Sequence, residues 1–311
     1  MNVHEWPLTA FTILAQMAVG TFVALGVVTV SSSLKGRRAD AVAIPALYAL
    51  GPVMVAALIA SMFHLGTPTH APNAIRHIAT SWLAREIVFG AGFAALGFAF
   101  AALTWLDWCG EKVRTALAAF TAVWGLVFIW VMANVYYGLE TVPAWNRWTT
   151  PAQFYGSTLL LGALTLAVAF VWYTVFSRVR AIDRVCTGRR SEAVNDVETR
   201  KVLEDSLVGI GLVSLVALLI QVVVAVFATF PSGSPNPAEY ESSPALFALR
   251  LVLAIVGAGA LGLLLAVARV RGREVDSARI RLIVTLCWLI VLVSEVLGRF
   301  MFYGQMDRIG I

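Results

Sequence analysis

The sequence predicts an all-α, polytopic membrane protein, an eight-transmembrane-helix bundle with both termini outside the cytoplasm (N-out/C-out), on three observations. Hydrophobic residues make up 59% of the 311 positions and charged residues 13%, against roughly 45–50% and about 25% in soluble domains. Eight stretches are mostly apolar and long enough to cross a bilayer, which takes about 20 such residues. Of the 23 basic residues, 17 fall in the connections after the first, third, fifth and seventh stretches, and basic residues near helix ends stay on the cytoplasmic side.

The first stretch, 8–31, lacks a basic leading region. It is followed by Lys35, Arg37 and Arg38 rather than a small-residue cleavage site, so a retained helix is expected instead of a secretory signal. The second, 42–63, should end near His64, because Gly66 can take the left-handed conformation that closes a helix and Pro68 cannot continue one. The third, 84–106, should open after Ser81, a good N-cap. Lys112 and Arg114 then mark an inner connection before the fourth, 114–136. The fifth, 157–178, leads into the longest inner segment, 178–205, whose mixed charges read as a solvated linker. After the sixth, 206–229, comes PSGSPNPAEYESSP at 231–244, acidic, rich in Pro and Ser and free of basic residues, which reads as an outer loop. The seventh, 245–268, and eighth, 281–303, are joined by a basic inner connection running from Arg269 to Arg281. These spans use nearly the whole chain, so a single integral membrane domain, 1–311, is expected, with any soluble chemistry on a partner.

The net charge of +5 has its explanation in this basic inner face, and nucleic-acid binding is not expected. Cys109, Cys186 and Cys287 are widely separated and form no C-x-x-C pair, so neither a disulfide framework nor an iron–sulfur cluster can be built from them.

Titratable groups gather in one place. MFHLGTPTHAPNAIRHIATSWLAREI, residues 62–87, holds three of the four histidines, His64, His70 and His77, with Arg76, Arg85 and Glu86. Glu86 falls about one turn into the third helix, and the capping-box position is Ala84 instead, so capping does not explain it. An ionisable residue inside a membrane helix costs roughly a few kcal/mol and usually turns inward. If the second and third helices are antiparallel neighbours, His64 and Glu86 come to one depth. An imidazole and a carboxyl there suit oxidation of a quinol, whose two hydroxyls each need an acceptor with a pKa near ambient pH. The structural alternative is that His64 interacts with its helix dipole, while Glu86 ties the loop down through Arg85, Arg76 or His70.

Other polar groups in the spans have structural readings. Glu295 and Arg299 are spaced to pair within one helix. Gln16, Asn134 and Gln221 read as interhelical hydrogen bonds, and Trp82, Trp130, Trp145 and Trp148 as an interfacial aromatic belt. Two further functional classes fit less well. A di-haem cytochrome b needs paired axial histidines within helices, and only His64 lies at a helix end. A secondary transporter calls for broken helices and inverted repeats, and no repeat between the two halves is visible.

Four boxes carry a resemblance: HEWPL at 4–8, HLGTP at 64–68 leading to SWLAREI at 81–87, TVPAW at 141–145, and GRFMFYG at 298–304. With them the protein resembles the membrane-anchor subunits of dimethyl-sulfoxide-reductase-type molybdoenzymes. The resemblance implies a multi-pass anchor in the cytoplasmic membrane that binds menaquinol at the outer face. It would pass electrons to a four-cluster, ferredoxin-like iron–sulfur subunit, which feeds a molybdopterin catalytic subunit on that face. It also implies His64 and Glu86 as the proton-accepting pair, in a quinol pocket bounded by Gly66, Pro68, His70, Arg85 and Gln16, with no haem and no iron–sulfur cluster in this protein. Two departures stand out: His70 occupies a position that often bears arginine in such sequences, and the segment 178–205 is longer than usual.

Overall fold

The computed structural model describes residues 6–35, 40–64, 73, 76–106, 108–176, 197–229, 244–270 and 278–306. Among these, eight helices are long and apolar enough to cross a membrane, and no strand occurs. They are α1 (Trp6–Leu34), α2 (Asp40–His64), α3 (Trp82–Trp105), α4 (Glu111–Tyr137), α5 (Thr149–Phe176), α6 (Val197–Thr229), α7 (244–270) and α8 (Ala278–Gly304). α7 is interrupted by a π-helical turn at Ile255–Gly259, where Gly257 lies against the Cys287 carbonyl and the Val291 side chain of α8.

Local chemistry sets the boundaries. α2 ends at His64 as expected. α3 starts at Trp82 because the Ser81 side chain accepts a hydrogen bond from the Ala84 N–H at 3.3 Å. Two starts lie eight or nine residues earlier than the apolar runs suggest, the others three or fewer. α5 begins at Thr149 rather than 157, since Pro151 suits a first turn and Thr150 Oγ1 anchors that turn by donating to the Trp145 carbonyl at 2.7 Å. α6 begins at Val197, inside the segment expected to be linker, because 197–205 is rich in good helix formers and buries Val202 and Leu203. Only that part of the linker reading is corrected; 178–196 lies outside the described residues, as do the loop 231–243 and His4.

α1 and α5 are the most enclosed helices, and α3 is the most exposed. α1 packs against α2, α4 and α5, and α5 against α1, α6 and α8. The α1–α5 crossing depends on Gly20 and Gly162. A Cβ on Gly20 would run into the backbone at Thr158 and Gly162, and one on Gly162 into the Gly20 backbone. Small residues let membrane helices approach to backbone contact, where dispersion replaces the hydrophobic drive that lipid removes. Trp6 meets Phe300 edge-on, with ring centroids 4.5 Å apart, so the start of α1 and the end of α8 share one end of the bundle.

Because a side chain at this crossing meets backbone rather than a movable side chain, Gly162→Ala should destabilise the protein by about 1–3 kcal/mol, the usual range for overpacking. Gly162→Leu should prevent its accumulation in membranes. Thermal unfolding in detergent and membrane immunoblots provide the measurements.

Candidate functional site

Placed by the Ser81 cap, the inward stripe of α3 runs Glu86, Phe93, Gly97, Phe100, Thr104. That spacing keeps Glu86 on the buried face. Its carboxyl borders a cavity of ≈ 160 Å³ between α1, α2 and α3, closed at the back by Phe93 and Phe128. Small side chains make the space: Ala15 and Ala18 of α1, Ala57 of α2, and Gly90, Ala91 and Ala94 of α3. Leu58 and Leu83, 41% and 45% exposed, also line it, so the cleft reaches the outer surface of the bundle between α2 and α3. These two helices pack sparsely against each other. An apolar cavity of about 150 Å³ can hold a benzene ring.

Glu86 is 7% exposed and has no hydrogen-bond or ion-pair partner among the described residues. Of the loop groups that could tie it down, Arg85 is directed elsewhere. Arg85 donates from Nε to the Ile78 carbonyl at 2.8 Å and from Nη2 to the Ala79 carbonyl at 2.7 Å, and its guanidinium sits 4.2 Å from the Trp82 ring centroid. It clamps the turn before α3 and does not line the cleft. Arg76 and His77 are exposed on that turn. His64 is the last residue of α2, one turn after Ser61, which lines the cleft. The His64 side chain, together with Gly66, Pro68 and His70, lies outside what is described.

Gln16 belongs to a different group. It is fully buried, and its Oε1 accepts from Arg299 Nη2 at 3.0 Å, while its neighbour Ala15 is the one that borders the cleft. This bears out Gln16 as an interhelical bond and takes it off the pocket wall. The expected Glu295–Arg299 pair is replaced by partners on other helices. Ser157 Oγ donates to Glu295 Oε2 at 2.6 Å, and Gln221 Nε2 donates to Glu295 Oε1 at 3.1 Å and to Ser157 Oγ at 3.0 Å. The Arg299 guanidinium also lies 4.0 Å from the Phe154 ring centroid. In a dry interior one opposite charge leaves most of a carboxylate's lone pairs unmet, so neutral donors from several helices are recruited. Asn134 donates to the Trp130 carbonyl of its own helix at 2.7 Å, correcting the interhelical reading.

Residues that the sequence reading passed over join this polar core. Tyr136 and Tyr303 are 3.3 Å apart at their hydroxyls, and Tyr303 is 2.7 Å from Thr12 Oγ1. Trp145 is buried, correcting its place in the aromatic belt, and donates from Nε1 to the Phe302 carbonyl at 2.8 Å. The tyrosines could have been suspected, since each stands in or beside a quoted box or an apolar run. Their ring-and-hydroxyl chemistry reads equally well as belt residues.

A family model described as DMSO reductase anchor subunit (DmsC) matches residues 1–305. The protein is 35% identical over 172 residues to the C chain of the anaerobic dimethyl sulfoxide reductase of Escherichia coli (strain K12), covering 54% of its own length and 60% of that relative. It is 32% identical over 174 residues to the C chain of the same enzyme from Haemophilus influenzae, covering 55% and 60%. To the C subunit of the sulfite dehydrogenase of Allochromatium vinosum it is 31% identical over 144 residues, covering 40% and 43%. The matched region thus spans three fifths or less of the length of these relatives.

Arg299→Leu leaves the buried Gln16 amide oxygen without its donor, so it should cost about 1–3 kcal/mol. The lipid-facing Val293→Ala, at a position 51% exposed, should cost under about 0.5 kcal/mol. Denaturation in detergent monitored by tryptophan fluorescence distinguishes them.

Proposed function

The chain belongs to the DMSO reductase anchor subunit (DmsC) family, and from that premise we propose that it binds menaquinol in the cleft between α2 and α3 and oxidises it there. It is a multi-pass membrane protein of an anchor-subunit family. The proposal is carried by one observation, a buried carboxyl without a described partner on the wall of an apolar cleft that opens between two loosely packed helices.

The quinol head enters past Leu58 and Leu83, with its isoprenoid tail remaining among the acyl chains. Glu86 accepts the hydrogen of one hydroxyl, and His64, at the end of α2, accepts that of the other. Each base breaks one quinol O–H bond. The two electrons leave to an iron–sulfur partner subunit and from there to a molybdopterin catalytic subunit, and the product is the quinone. A positioned base of this kind contributes about 10²–10⁴ in rate. The apolar wall excludes water, which keeps both proton transfers on the side chains that hold the substrate. Since relatives are named both for dimethyl sulfoxide reductase and for sulfite dehydrogenase, the activity assigned to this protein is the quinol half-reaction and not a terminal substrate.

By the distribution of basic residues, both termini lie on the outer side of the cytoplasmic membrane, with the cleft and its partners on that face. Protons released there do not cross the bilayer, so this step moves no charge through it.

Glu86→Gln and His64→Ala in the assembled complex should each lower quinol-dependent turnover by about 10²-fold or more, while turnover with an artificial donor to the iron–sulfur partner is preserved. Normal quinol turnover in both variants would overturn the reading. A C-terminal alkaline phosphatase fusion should be active and the equivalent green fluorescent protein fusion dark; the opposite pattern would invert the topology.

A further inference from the structure

α1 borders two cavities, one on each half of its length. The cleft described above uses Phe11, Ala15 and Ala18, and a second cavity of ≈ 390 Å³ lies along the same helix from Gly20 to Lys35. α1 gives this second space one continuous face over four turns, and the opposite wall comes from Leu159 and Ala163 of α5 and from the stretch Val202 to Val213 of α6. α6 packs along α5 and scarcely touches α1. With glycine or alanine at 20, 24, 163 and 209, the gap between these helices stays unfilled. Val27 and Val213, 63% and 43% exposed, line it as well, so it opens sideways to lipid.

Length and polarity together indicate the occupant. The helix rises about 22 Å over the fifteen residues from Gly20 to Lys35, which covers the hydrocarbon depth of one leaflet, about 15 Å, and reaches the headgroups. The wall is apolar through that depth. Its polar groups, Ser31, Ser32 and Lys35 of α1 with Asp205 and Ser206 of the antiparallel α6, all lie toward the Lys35 end. Ser31 and Ser206 spend their hydrogens on their own helices, on the Val28 carbonyl at 3.1 Å and the Val202 carbonyl at 2.6 Å. Asp205 has an interaction of its own. Lys35 is different: its backbone N–H is tied to the Ser31 and Ser32 carbonyls at the end of α1, while its exposed side chain has no hydrogen-bond or ion-pair partner among the described residues.

We propose that this cavity is a binding site for one anionic phospholipid, an acyl chain lying between α1, α5 and α6 and the headgroup phosphate on the Lys35 ammonium. A lysine serves as a point charge for phosphate, and basic groups beside a membrane span gain from anionic lipid. The chain fills the gap beside Gly20, so it supplies dispersion contacts that α6 does not give to α1 at the α1–α5 crossing. Flanked by three helices, this lipid is a component of the fold and distinct from the exchanging shell of bilayer around it. The inference stands apart from the quinol reading, since it uses neither Glu86 nor the cleft.

The test is native mass spectrometry of the full-length protein, purified in mild detergent and titrated with dioleoyl phosphatidylglycerol. The wild type should hold one such lipid through purification. A Cβ at Gly209 meets nothing within 4 Å, so Gly209→Phe should fold with its ring in the cavity, and its lipid-bound fraction should fall about tenfold as the chain loses its apolar wall. Lys35→Gln should weaken phosphatidylglycerol binding about fivefold, the effect of one lysine beside an anionic headgroup. Val293→Ala, on a lipid-facing surface outside the cavity, should bind as the wild type does. Equal lipid occupancy in the wild type and Gly209→Phe overturns the site, as does menaquinone in place of phospholipid in the wild-type species. Should Gly209→Phe fail to accumulate, Lys35→Gln decides, together with competition by dioleoylglycerol, which has the same chains and no phosphate. An unchanged affinity in Lys35→Gln, or equal displacement by the two lipids, overturns the proposal.

Discussion

A polar side chain inside hydrocarbon has no water to fall back on, and the organisation of this bundle follows from how that constraint is met. The core of α1, α5, α6 and α8 meets it collectively. Glu295 is held by Ser157 and Gln221, Arg299 by Gln16 and the face of Phe154, and Tyr303 by Thr12 and Tyr136. Each of these three side chains on α8 finds its polar partners on other helices, so the polar groups stitch spans that dispersion alone would hold only loosely. Glu86 differs in its setting, a buried carboxyl facing an apolar cleft with no partner among the described residues. Polar groups in a membrane are expensive to leave unmet, and the quinol proposed for this cleft would supply the missing partner.

The two helix crossings that matter for the cleft differ in kind. At Gly20 and Gly162, α1 and α5 approach until backbone touches backbone, which makes this pair the rigid axis of the protein. Between α2 and α3 the packing is sparse, and alanines and glycines leave volume unfilled. A site for an amphiphile drawn from the bilayer needs both properties: a wall that does not yield, and an edge that opens sideways to lipid. Described residues of three of the four boxes, around Trp6, Trp145 and 300–303, meet at one end of the bundle. Trp6 meets Phe300, Trp145 binds the Phe302 carbonyl, and Tyr303 reaches α1 and α4. Their separation along the sequence is large because each belongs to a different span, and their proximity comes from folding the spans into alternating directions.

Much of this was legible from residue order alone. Length and apolarity of the runs define eight spans, since bilayer thickness leaves little freedom in what can cross it. Ser81 opens α3 as its chemistry requires, and once that start is set the 3.6-residue period puts Glu86 on the inward face. Helix starts outside the apolar windows, at Thr149 and Val197, were not legible, because hydropathy registers the membrane and is blind to helices that extend beyond it.

Partner choice is what only the tertiary structure decided. Spacing along α8 brings Glu295 and Arg299 to one face, yet the carboxylate goes to α5 and α6 and the guanidinium to α1. Gln16 and Ala15 are adjacent in sequence, and one faces the charged core while the other borders the cleft. Arg85 and Glu86 are likewise neighbours, one clamping a turn and the other facing the cavity. Periodicity specifies that a side chain points into the bundle. Which helix it meets there depends on crossings made across hundreds of residues, where a hydrogen bond goes to whichever donor the packed backbones bring within about 3 Å.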